Sequence, residues 1–217
     1  GRYVYRYEEE LIDSDNSFLV DNWEYILNEL LQYIPKECGC EVKYGDWSGK
    51  YVHKKNLERA CVELVKKATI ALCCKAPERF WEYYEPYMEQ GYYVFNEIIL
   101  TGLAVLSPKY SNRIMRYLCS DMDKNIFDYT SGAEDELGLV KEVLKIHGNS
   151  CDKEELLRIE NVICRYISPN ASEWYKRRIK QNERKEYPTV YWSFWGDLQY
   201  ELLRYLPEER ISPKAKE

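Results

Sequence analysis

The chain has 217 residues, a formal net charge of −6, 45% hydrophobic residues and 31% charged ones, which excludes a disordered polymer and leaves room for a core in one long domain or two small ones. The acidic excess argues against non-specific nucleic-acid binding, which depends on neutralising phosphates. With no apolar run of ~20 residues and no signal-peptide pattern at the start, a cytoplasmic chain with reduced thiols is expected for its 8 cysteines.

Arg2 to Phe18 can be read two ways: Tyr3, Tyr5 and Tyr7 alternate as in a strand, while the Glu-rich continuation looks helical. Trp23, Ile26, Leu27, Leu30, Leu31 and Ile34 recur at helical spacing and predict an amphipathic helix stopped at Pro35. Glu37 to His53 has another character: Gly39, Gly45 and Gly49 punctuate Val42, Tyr44, Trp47, Tyr51 and Val52, as in a small hairpin or a loop insertion near 37–53. Leu57, Cys61, Leu64, Ala68, Ala71 and Leu72 then form one face of a long helix, widened by Val62, Val65 and Cys73, and so predict burial between neighbours.

Pro77 opens the next helix, with Phe80, Trp81, Tyr84, Tyr87 and Met88, and Gly91 breaks it. Val94, Ile98, Ile99, Leu103 and Leu106 follow, and Ser107-Pro108 is a cap-plus-proline start for the helix of Ile114, Met115 and Leu118. Asp121 to Ser131 is a connection with a short helix around Ile126 and Phe127. Leu137, Val140, Val143, Leu144 and His147 mark a helix ended by Gly148; Asp152 caps the next, with Glu155 in the capping-box position and a face of Leu156, Ile159, Ile163 and Tyr166. Ser172 caps a charged helix, and the strongest stripe closes the chain: Trp192, Trp195, Leu198, Leu202 and Leu206, stopped by Pro207. Ser212 and Pro213 form a new helix start close to Glu217, and Gly1 opens the chain without an initiator Met; both features read as a fragment of a longer polypeptide.

The fold expected is all-α: antiparallel helix pairs stacked as an irregular HEAT-like α-solenoid, a single helical-repeat domain over 1–217. A compact irregular helical domain is the competing fold. No fixed sequence period is present.

Chemistry-bearing residues are sparse. Cys38-Gly-Cys40, with His53 and Cys61, supplies four ligands of zinc type, though at a spacing that fits no standard finger. Cys73 and Cys74 are adjacent on a helix and point to different sides. His147 is expected to meet the carbonyl end of its helix rather than to act in catalysis. Asp121, Asp123 and Asp128 lack the glycine and terminal Glu of a calcium loop, so capping and solvation are favoured. Asp135 and Glu136 suit a helix first turn. The basic run from Lys176 to Lys185 is interleaved with Glu183 and reads as a solvated face. No glycine-rich phosphate loop is found, so no cofactor is expected. Trp47, Trp81, Tyr84, Tyr92 and Tyr93 are candidates for protein recognition, with ordinary core the favoured reading of the span Phe80 to Tyr93.

Ile159, Glu160, Ile163 and Pro169, then Gly196, Gln199, Leu202-Leu203, Leu206-Pro207, Arg210-Ile211-Ser212 and Ala215 form a pattern over roughly the last quarter of the chain. This stretch resembles one toward the C-terminal side of large bacterial STAND-type ATP-binding proteins, a group that includes antiviral-defence sensors. The resemblance implies a helical, repeat-like region outside the nucleotide-binding module, serving as scaffold or sensor. The ATPase motifs of that family are absent here, so it implies no catalytic residue. The expected function is therefore non-catalytic recognition of a protein partner or of neighbouring domains, with no nucleic acid and no membrane. Two alternatives stand beside it: a helical enzyme or metal-binding domain with a thiol or zinc centre at Cys38, Cys40, His53 and Cys61, and a regulatory domain that binds a small molecule between helices.

Overall fold

A computed structural model describes residues 20–34, 56–89, 92–120, 127, 138–166 and 194–216. These residues are helical, with no strand among them. The contacts gather into two compact units, Gly1–Leu106 and Ser107–Glu217. The hairpin or insertion near 37–53, the acidic cluster of Asp121, Asp123 and Asp128, and the basic run from Lys176 lie outside the described residues.

In the first unit, helix α1 (Trp23–Leu30) buries Trp23, Ile26 and Leu27. It tightens into a 3-10 turn over Leu31–Tyr33, and Ile34 is already extended at φ −62°, ψ 120°. That is the conformation imposed on a residue that precedes proline, here Pro35. Helix α2 (Asn56–Lys75) packs against α1 and against α4 (Tyr93–Val105). Of the broad face expected for α2, Val62, Val65, Ala68, Ala71, Leu72 and Cys73 are buried, Thr69 joins them, and Cys61 and Leu64 are only half-buried. Thr69 tolerates this because its hydroxyl donates to the Val65 carbonyl (2.6 Å) and pairs with the Tyr84 hydroxyl.

Pro77 opens a 3-10 turn, Pro77–Arg79, that runs into α3 (Phe80–Met88). Pro86 lies inside α3 and contributes no N–H to its ladder. Helix α4 is the centre of this unit, with Val94, Phe95, Ile98, Ile99, Leu100 and Leu103 all buried. Each such side chain contributes about 1.5–3 kcal/mol when taken from water. Gly102 is required by a close approach: a Cβ there would run into the Phe80 ring and stand 2.9 Å from the Thr69 methyl.

In the second unit, Ser107 accepts from the Lys109 N–H (3.4 Å) and caps the 3-10 turn Pro108–Tyr110, as its cap-plus-proline signature predicts. Helix α5 (Ser111–Cys119) buries Ile114, Met115 and Leu118 and packs on α6 (Gly138–Ser150) and α7 (Lys153–Arg165). Val140, Val143, Leu144 and His147 are the buried face of α6, and Leu156, Ile159, Ile163 and Tyr166 that of α7. Phe127 is fully buried and meets Tyr166 edge-on, with ring centroids 5.2 Å apart. Helix α8 (Phe194–Leu203) packs on α6 and α7 and buries Leu202; Leu206 and Pro207 are buried just beyond its end.

Two local expectations are corrected. Gly148 does not end its helix, which runs on to Ser150. It is glycine because Leu206 and Pro207 press on it: an added Cβ would lie 3.1 Å from each. The capping box at Asp152 does not form, since the Asp152 side chain caps no helical N–H. Its carboxylate instead accepts from Asn112 Nδ2 (2.5 Å), and its N–H donates to Asn112 Oδ1 (2.7 Å). Tertiary partners take both groups away from the local motif.

Candidate functional site

The densest polar chemistry lies where α5, α6 and α7 meet. Ser111 opens α5, and its Oγ is 2.9 Å from Nδ1 of His147 in the last turn of α6. Serine beside imidazole is the pairing of an activated nucleophile. Here, however, Ser111 is 1% exposed and His147 0%, so the pair has no face for a substrate. One helical turn on, Arg116 Nε donates to Glu155 Oε1 at 2.7 Å, and Arg158 NH1 stands 3.2 Å from Oε2. The Glu155 side chain is 5% exposed, whereas Arg116 is 60% exposed and Arg158 46%. The carboxylate is thus buried beneath two guanidinium groups that remain largely in water. The ion pairs hold α5 against the first turn of α7, where an acid also suits the helix dipole.

The far side of the same layer is closed from the chain beyond α8. Arg210 NH1 donates to the carbonyls of Gly148 (2.7 Å) and Asn149 (2.5 Å), and NH2 to that of Cys151 (2.5 Å). The last carbonyls of a helix have no partner within it, and a cation there is favoured by the dipole. Glu160, 3% exposed, accepts the Ser212 N–H at 3.1 and 3.3 Å through its two oxygens. Ser212 in turn caps the short helix Pro213–Lys216 through Ala215 N (3.3 Å). The start signal expected at Ser212-Pro213 is therefore present. Gln199 Nε2 donates to the Tyr166 carbonyl (2.5 Å), which ties α8 to the end of α7.

Among the described residues of the first unit, Lys66 Nζ meets Glu97 Oε1 at 2.8 Å, with side chains 18% and 6% exposed. On the surface, Arg79 lies over the Trp23 ring (5.6 Å) and the Tyr83 ring (5.2 Å) and pairs with Glu24 (2.9 Å).

Of the expected zinc ligands, Cys38, Cys40 and His53 lie outside the described residues, as does Trp47; Cys61 is a half-buried free thiol on α2. Among the described residues no cluster of His, Cys, Asp and Glu could hold a metal ion. Cys73 is buried and Cys74 exposed, pointing to different sides as expected, in the last turn of α2. Burial, aided by Cys74, pushes the Cys73 thiol up to about 12; its Sγ donates to the Gly102 carbonyl (3.5 Å). Burial also pushes Cys119 up to about 12 against the lowering effect of Arg158. Cys151 is raised as well, again by burial, with Arg210 opposing. A thiol held protonated is a poor nucleophile.

Of the recognition candidates, Trp81 (6% exposed) and Tyr84 (0%) are core, where Phe80 packs on both at 5.4 and 5.0 Å. Tyr92 is half-buried against Phe95, and Tyr93 opens α4. Among the described residues, the large exposed side chains include others: Tyr25, Tyr33, Leu157 and Tyr200. Sequence reasoning missed Ser111, Arg116, Glu155 and Arg210 as bonding partners. Their mates lie 36 to 62 residues away, and no local spacing signals them. Comparison with known proteins finds no matching family model, no matching curated protein and no matching solved structure.

Proposed function

We propose that this chain is a non-catalytic helical scaffold or sensor segment that recognises another protein or holds neighbouring domains in register. On this reading it works in the bacterial cytoplasm as the HEAT-like part of a larger STAND-type ATP-binding protein, possession of the ATP site falling to that larger protein. One observation carries the proposal. Among the described residues, side chains of kinds used in catalysis are bound into buried or part-buried structural pairs, Ser111 with His147, Lys66 with Glu97, and Glu155 with its two arginines. Among the described residues, large side chains left in solvent include Tyr25 (67% exposed), Tyr33 (73%) and Tyr200 (62%). Tyrosine is enriched in protein interfaces, where a rigid ring gives contact area at low entropic cost. The helix pairs described above support the architecture, since stacked pairs present extended surfaces for macromolecules. The pattern from Ile159 to Ala215 supports the family reading.

The test is a paired capture experiment with the wild-type chain and a Tyr25→Ala, Tyr33→Ala, Tyr200→Ala variant. These residues are exposed, so the variant should keep its thermal transition. Loss of a specific partner with the fold retained supports the reading. Identical captures from both, or stoichiometric zinc by elemental analysis of the purified chain, would sink it.

A further inference from the structure

We infer that Leu206–Ser212 is a strap that lets go of helices α6 and α7 as one piece while both helices stay folded. Its hold has three parts. Leu206 and Pro207 press on Gly148, whose missing side chain makes the seat. Arg210 takes the carbonyls of Gly148, Asn149 and Cys151. Glu160 takes the Ser212 amide. Between these anchors Glu208 and Glu209 are exposed, and the strap's own turn is closed by Arg210 and Ile211 N–H groups on the Pro207 carbonyl (2.9 and 3.1 Å). The turn can therefore leave with its internal bonds intact.

The layer beneath does not need the strap for its core. Ile114, Met115, Leu118, Val140, Val143, Leu144, Leu156, Ile159 and Ile163 come from α5, α6 and α7 alone. Cross-ties Asn112–Asp152 and Arg116–Glu155 brace those helices independently. A segment held by two apolar side chains and two charged groups, over a core supplied mostly by other helices, belongs at the low-stability end of a fold. Release uncovers the carbonyls of Gly148, Asn149 and Cys151 at and just past the end of α6, and the buried Glu160 carboxylate. That is a receptor for an apolar pair followed by a cation and an unpaired amide, the chemistry of the strap itself. The strap is thus a conformational device: whether it is docked decides whether the end of α6 and the middle of α7 face solvent.

Native-state hydrogen exchange on the full chain tests this under increasing denaturant. The Ser212 amide, whose partner Glu160 lies on α7, should exchange through an opening that precedes that of α5 and α7. Arg210→Ala should speed it at least tenfold and leave Ile159 and Ile163 unchanged. Arg210→Lys, which cannot span three carbonyls, should fall between. Strap and α7 amides opening together in the wild type would overturn the inference, and so would an Arg210→Ala variant that speeds both sets equally or neither. If Arg210→Ala does not fold, the wild-type denaturant series decides alone.

Discussion

In the first unit the central helix, α4, meets its neighbours with Val94, Phe95, Ile98, Ile99 and Leu103 and admits charge where Glu97 meets Lys66. In the second, α5 meets its neighbours with apolar residues and also with a polar side chain for each: Ser111 for His147 of α6, Asn112 for the turn before α7, and Arg116 for Glu155. One unit is specified mainly by shape, down to a glycine that a single methyl group would disturb. The other adds directional bonds, which define register but leave an expensive group behind if one partner is lost. In the second unit a serine and a histidine pair in the way an active site pairs them, and both are buried.

The largest break should come from the shape-specified side. Phe80→Ala removes a fully buried ring and should cost about 3–5 kcal/mol in chemical denaturation. Gly102→Ala should cost about 1–3 kcal/mol alone. In the Phe80→Ala background it should cost much less, because the ring it strikes is gone; additive costs would refute the contact.

Thiol chemistry should treat the units alike. Cys73 and Cys119 are both raised from 9.0 to about 12, so the folded state prefers the neutral thiol. That preference is fully present below about 9 and is lost as pH rises toward 12, so alkali should destabilise both units. At pH 8 their alkylation should trail the exposed Cys74 and Cys164 by roughly two orders of magnitude, read by mass spectrometry.

The ion pairs should then separate the units. Lys66→Ala removes the cation that meets Glu97, 5% exposed, and should cost about 3 kcal/mol. Arg116→Ala should cost only about 1 kcal/mol, because Arg158 stays on the other oxygen and Arg116 is largely exposed. Equal costs would erase the distinction. Ser111→Ala should cost about 1–3 kcal/mol by depriving buried His147 of its described partner. Smallest of all, Gly148→Ala gains about 1 kcal/mol of helix propensity and loses a similar amount by crowding Leu206 and Pro207. A net change beyond ~1 kcal/mol either way would mean that the seat is looser or tighter than its 3.1 Å approaches indicate.

The apolar half of this design was legible beforehand. Spacing alone marks Trp23, Ile26, Leu27, the buried face of α4 and that of α7, because burial imprints the helical period on the sequence. Where a small polar residue can be satisfied by its neighbours, the period misleads: Thr69 joins the core of α2, and Cys61 and Leu64 fall to its margin. The directional bonds were not legible. Asp152 and Glu155 sit at capping-box spacing, yet each answers to a residue some 40 positions earlier. Gly148 reads as a helix stop because a glycine that makes room for a distant leucine looks the same in sequence as one that frees the backbone.

The three carbonyls taken by Arg210 also set an order of events in time. During synthesis the chain emerges from its N-terminal side, and the end of α6 appears 62 residues before the side chain that completes it. At ~5–20 residues per second that interval is roughly 3–12 s. Until then neither Arg210 nor the Ser212 amide is there to close the end of α6 or the Glu160 carboxylate. The groups that close the second unit are thus made after α5, α6 and α7 themselves.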